Sequence, residues 1–169
     1  MTTTQHPYIS ECLNDPWKNT KHQGYVYLTP KHKGHYGEMF VSELMEDMSC
    51  SVKDAPTSTA GYDRIIDNWR TEIKFSLATR KNNQIQTNKF IINHVSVGKD
   101  WERLIFCGIN PDGIIIFYIT KEDFITEINR TDSVFNYQQG GKGVSNDDYM
   151  CTKVSTLINR EYVHPITEW

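Results

Sequence analysis

Apolar residues recur at Val41, Leu44, Met45 and Met48, the spacing of one buried helix stripe, and predict a helix from about His35 to Met48. Before it, residues 1–32 carry no sustained period and several prolines, Pro7, Pro16 and Pro30 among them, so an irregular segment is expected, with a short apolar stretch at YVYL. After it, DAPTSTAG reads as a connection. The stretch GYDRIIDNWRTEIKFS, residues 61–76, then alternates with period two. Ile66, Ile73, Phe75 and Leu77 fall on one face, and Glu72, Lys74 and Ser76 on the other. Further along, RKNNQIQTN reads as a loop and FIINHVSV as a partly buried segment. RLIFCGI and IIIFYI read as two buried strands joined by the strong turn Asn110-Pro111-Asp112-Gly113. Thr120 with Asp123 forms a capping pattern that opens a helix through Phe124, Ile125 and Ile128. QQGGKGVSNDD is expected to be a loop, and YMCTKVS a last strand. This order of helix, strands and helix predicts an α/β or α+β sandwich.

Length changes the picture little, since 169 residues suit one domain over 1–169, with its core at about 33–160. No apolar run approaches a membrane span, and MTTTQHPYIS lacks the features of a secretory signal, so an intracellular, cytoplasmic protein with no membrane partner is expected. The four cysteines, Cys12, Cys50, Cys107 and Cys151, have no paired spacing and read as inert thiols rather than disulfides or zinc ligands. Trp17, Trp69, Trp101 and Trp169 read as packing anchors.

A net charge of −3 gives no overall basic footprint, yet nucleic-acid binding needs only a local one. The candidate contributors are Lys18, Lys21, Lys31, Lys33, Arg80, Lys81 and Lys142. Lys31, His32, Lys33 and His35 are expected just before the helix, where they could contact phosphates. Gln138, Gln139 and Lys142 sit in a Gly-rich stretch suited to DNA phosphates or base edges. For each of these, ordinary solvated surface is the competing reading.

The hairpin carries the most specific chemistry. If Asp67-Asn68 is a two-residue loop, Asp63 lies on the same face as Glu72 and Lys74 and roughly opposite Glu72. Two opposed carboxylates repel unless something positive lies between them. Mg²⁺ satisfies that need with one or two carboxylates plus water and phosphate oxygens, with Mn²⁺ a substitute, and no small-molecule cofactor is called for. Such an ion would polarise a phosphodiester while Lys74 orients the nucleophile or stabilises developing charge. Glu38, three residues before Val41, projects from the inward helix face; its other reading is an acid favoured by the helix dipole. His94 follows an apolar run and either fills a structural role or helps hold the phosphate or a water. Surface ion pairs among Asp63, Glu72 and Lys74 are the alternative to a metal site.

Over about residues 34–123 these elements together resemble the PD-(D/E)XK nuclease superfamily, the fold of many restriction endonucleases. Asp63 matches its first acid, Glu72 and Lys74 its E-x-K, and Glu38 the glutamate of the preceding helix; Gly61-Tyr62 stands where the proline would be. The resemblance implies a restriction endonuclease-like α/β core, a central mixed β-sheet flanked by helices. It also implies a metal-dependent deoxyribonuclease, with Asp63 and Glu72 as metal ligands. A homodimeric type II restriction enzyme cutting double-stranded DNA at a short sequence is the leading expectation. A repair or recombination nuclease of the same fold, and a non-catalytic nucleic-acid- or protein-binding module, stand as alternatives.

Overall fold

The computed structural model describes residues 14–167; Cys12 and Trp169 lie outside them. Its centre is a six-stranded sheet in the order β1 (Val52–Asp54), β2 (Arg64–Ile66), β3 (Trp69–Leu77), β7 (Arg103–Asn110), β8 (Gly113–Thr120) and β11 (His164–Pro165). β3 and β7 run parallel, from Thr71↔Arg103 to Leu77↔Ile109, while the other neighbours are antiparallel. The sheet is therefore mixed and is accompanied by helices, as the sequence predicts. β7 is buried along its whole length, which accounts for its unbroken apolar run.

Helix α1 (Pro30–Asp47) lies against β3 and buries Gly37, Val41 and Met45. It begins five residues earlier than the apolar stripe suggests. Thr29 caps it by accepting a hydrogen bond from His32 N, and Pro30 occupies the first turn, where its missing N–H costs nothing. Lys31, His32, Lys33 and His35 consequently belong to the helix rather than precede it, and the irregular segment ends before residue 32. YVYL contains a 3₁₀ turn, Tyr25–Tyr27. Tyr25, Tyr36, Phe40 and Phe75 pack ring to ring between this turn, α1 and β3.

The opposite face of the central sheet meets a second, three-stranded sheet in the order β6 (Ile92–Ser96), β10 (Asp148–Cys151) and β9 (Phe135–Gln139). Phe90 bridges the two by packing on Phe106, which stacks onward against Phe117. Helix α2 (Lys121–Ile128) is capped by Thr120, which accepts from Asp123 N and donates to its carboxylate. Its inward residues are Phe124 and Glu127, whereas Ile125 is exposed. Glu127 can be buried because its carboxylate ties Arg160 at 3.0 Å, Val134 N at 2.9 Å and the Tyr162 hydroxyl. A single-turn helix, α3 (Val154–Leu157), follows β10, so YMCTKVS is strand only to Cys151.

RKNNQIQTN is not a loop. It forms the two-stranded ribbon β4 (Arg80–Lys81) and β5 (Gln84–Ile85), turned by Asn82 and Asn83 at φ of 52° and 60°. Positive φ at both central residues is the turn that matches the twist of a hairpin, and asparagine tolerates it. Gln138 and Gln139 likewise close β9, leaving Lys142 in the exposed loop beyond. Trp17 and Trp101 are core residues, but Trp69 is 43% exposed at the hairpin end and stacks under Arg103 instead. Cys50, Cys107 and Cys151 are buried free thiols, and burial pushes Cys107 up to about 12. No helix among the described residues is long and apolar enough to cross a membrane.

Candidate functional site

The hairpin forms through a two-residue turn, Asp67 and Asn68, at φ of 47° and 69°. Its register, Arg64↔Thr71 and Ile66↔Trp69, extended by one residue sets Asp63 opposite Glu72. Two hydrogen bonds bracket that position. Asp63 N donates to Thr71 O at 3.0 Å, and Ile73 N donates to Asp63 Oδ2 at 2.7 Å. Asp63 is thereby held by the residues on either side of Glu72, with one carboxylate oxygen already committed to the backbone.

The face carrying Glu72 is not a solvated one. Glu72 is 2% exposed and Ser76 is also buried, because the second sheet covers this side of β3. A buried carboxylate needs a partner, and Lys74 Nζ supplies it at 2.8 Å from Glu72 Oε1. The Lys74 side chain is itself only 19% exposed, so it points into the protein cleft rather than to bulk solvent. Burial, with the Glu72 and Glu38 charges adding to it, pushes the Asp63 carboxyl up to about 6 against the opposing Ile73 N–H and Lys74. The charge of Glu72 across the strand pair thus opposes ionisation of Asp63.

These groups share one cleft of about 590 Å³ with Glu38, Lys33, His94 and Gln138. Glu38 is half-buried rather than fully inward, and its Oε2 lies 3.2 Å from Arg64 Nη1. Arg64 also donates to Asp63 O at 2.9 Å and to Ser42 Oγ at 3.1 Å, so one guanidinium ties helix α1 to the start of β2. On the opposite wall His94 has φ 52°, a left-handed conformation that costs energy outside glycine. It is held there by Gln138 Oε1, which accepts from His94 N at 2.7 Å, and by Asp148 Oδ2, 2.9 Å from His94 Nδ1.

Seven of the residues singled out from sequence therefore line one cleft: Glu38, Asp63, Glu72, Lys74, Lys33, His94 and Gln138. Lys31, Arg80, Lys81, Gln139 and Lys142 lie outside it on the surface. The sequence reading missed Lys99, whose Nζ lies 3.9 Å from Glu72 Oε1, as well as Arg64 and Asp148. Only Arg64, inside the hairpin itself, carried a local signal, as the one cation beside Asp63.

Asp63 and Glu72 are the side chains that could hold a cation. Among the described residues no three His, Cys, Asp or Glu side chains form a ready cage. An ion here would complete its shell with water and ligand oxygens, which is the habit of Mg²⁺. An Asp63 carboxyl that burial and the opposed Glu72 charge keep from ionising fits that chemistry.

No protein-family model matches the chain, and no curated protein does. Among solved structures it is similar to a bacterial homing endonuclease, at 14% identity and a TM-score of 0.46, over 78% of this chain and 93% of that one.

Proposed function

We propose that the protein is a metal-dependent DNA endonuclease of the PD-(D/E)XK type, acting as a homodimer that cuts duplex DNA at a short specific sequence. The observation that carries this reading is the convergence of Glu38, Asp63, Glu72 and Lys74 on one cleft, with the two strand acids opposed and Lys74 2.8 Å from Glu72. Asp63 and Glu72 would hold Mg²⁺ or Mn²⁺, which supplies Lewis-acid polarisation of the phosphate and a more acidic water. Lys74, tethered to Glu72, presents its ammonium where charge develops on the phosphoryl oxygens. Glu38 and Arg64 fix the helix against the strand pair that bears Asp63. Lys33, Lys99 and His94 rim the cleft, which supports a role for them in contacting DNA phosphates. Two copies related by a twofold axis would present one such cleft to each strand.

Digestion of a long mapped DNA in Mg²⁺ tests the proposal. Wild type should give discrete bands, while Glu72→Ala and Lys74→Ala should lower the rate by at least about 100-fold with unchanged circular dichroism. Cleavage that persists in Lys74→Ala, or needs no divalent ion, removes this mechanism. Preference for junctions or flaps over plain duplex would retain the chemistry and replace the restriction role with a repair one.

A further inference from the structure

Between Ile73 and Lys99 the chain holds five Lys or Arg and no acid, which leaves the remainder at net −8 against a total of −3. The β4–β5 ribbon is the most exposed part of that stretch. Lys81↔Gln84 and Arg80↔Ile85 are its opposed pairs, and opposed residues share a face. Ile85 is half-buried and packs against the core, so β5 seats the ribbon on the protein at that residue, while Arg80 opposite it stays exposed. The other face carries Lys81 and Gln84 and continues to Gln86, whose N–H donates to Thr79 O at 2.7 Å. Asn82 and Asn83 form the tip. Among the described residues, none of these five side chains has a hydrogen bond or ion pair within the protein.

The base of the ribbon, by contrast, is pinned. Thr79 N donates to Lys89 O at 2.8 Å, and Asn88 and Asn110 bond reciprocally, each contact at 2.8 Å. A firmly seated ribbon therefore presents free amides and a cation. That is the donor and acceptor set that reads base edges: glutamine or asparagine on adenine, lysine on guanine. Two strands about 5 Å apart also fit a major groove about 12 Å wide.

We propose that this ribbon enters the major groove of duplex DNA and reads base edges through Gln84, Gln86, Lys81 and the Asn82-Asn83 tip. For the placement of the cut, the proposal rests on the nuclease reading. The ribbon follows β3 after two residues, and the six residues from Lys74 to Arg80 span at most about 20 Å. At 3.4 Å per base pair, the bases read should lie within about 6 base pairs of the scissile phosphate.

The test is selection of bound duplexes from a randomised pool, with Ca²⁺ replacing Mg²⁺, by wild type, Gln84→Ala/Gln86→Ala and Lys81→Ala, alongside Mg²⁺ digestion of a mapped DNA. Wild type should enrich a motif. The double glutamine variant should lose about tenfold or more of its preference at two or three adjacent base pairs while keeping its salt dependence. Methylation of guanine N7 within those pairs should block wild-type binding, as expected for major-groove contact. An unchanged motif in the double variant overturns the ribbon proposal, even if digestion proceeds normally, and so does failure of wild type to retain any duplex. A motif that depends on the ribbon, with no digestion in Mg²⁺, upholds the ribbon and removes the nuclease reading instead.

Discussion

Asp63 shows what the site costs the fold. Its carboxyl, raised by burial and by Glu72, titrates near 6 in the folded protein against an ordinary value of 3.8. Between those values the folded state binds more proton at Asp63 than the unfolded chain does, so the contribution of Asp63 to stability is highest below about pH 4, falls as pH rises to about 6, and is flat above. The loss amounts to up to about 3 kcal/mol. Asp63→Asn should therefore melt higher than wild type at pH 7.5 without divalent ions, by several degrees, and should match it more closely at pH 4. Mg²⁺ should raise the wild-type melting temperature at pH 7.5 and much less at pH 5, because proton and cation compete, and should leave the Asn variant unmoved. A melting difference between wild type and Asp63→Asn that is independent of pH between 4 and 7 contradicts the account. At this scale the sequence was legible where local rules apply. A two-residue turn and period-two alternation suffice to set Asp63 against Glu72 beside Lys74. Lys99 and Asp148 come from distant segments, and no local spacing connects them to Glu72 or His94.

Among the elements, the contact between α1 and β3 keeps the Glu38 helix close to the acids, and Gly37 sets its distance. A Cβ at Gly37 would collide with Phe75 Cβ, an atom anchored to the strand backbone, whereas one at Gly34, a turn earlier, meets nothing within 4 Å. The same substitution should therefore have opposite signs. Gly34→Ala should stabilise by up to about 1 kcal/mol through helix propensity, and Gly37→Ala should destabilise by about 1–3 kcal/mol through overpacking. Urea melts of the two variants check this, and equal signs would refute the packing account. Elements were legible from sequence in proportion to their apolar content. β7 and β8, with their Pro111-Asp112 turn, were plain. The β4–β5 ribbon was not, because its strands are two residues each and almost wholly polar, so only the Asn82-Asn83 turn chemistry marked it. The buried acid of α2 was not legible for a related reason. Glu127 occupies a core position that only its partners Arg160, Val134 and Tyr162, all later in the chain, make tolerable.

For the whole molecule, one cleft holds one set of catalytic candidates, so under the proposed function a single copy would address a single phosphodiester at a time. Cutting both strands within one binding event then needs a second copy, and the order of products on supercoiled plasmid reports it. A dimer with two aligned clefts should convert supercoiled circles to linear DNA with little open-circle intermediate. A single copy should nick first and linearise only after release and rebinding, so open circles should accumulate. Mixing wild type with an excess of Lys74→Ala separates these cases, because mixed dimers carry one competent cleft. Open circles should then build up in proportion to the excess, while independent single copies would keep the wild-type product order at a lower rate. Salt sharpens the result. Binding that depends on the cations between Ile73 and Lys99 of a net-negative chain should weaken steeply with ionic strength. If a second copy contributes its own set of those cations, the logarithmic salt slope for the complex that yields linear DNA should exceed that for nicking by mixed dimers whose inactive copy also lacks Lys81 and Lys89, roughly in the ratio of ten cations to seven.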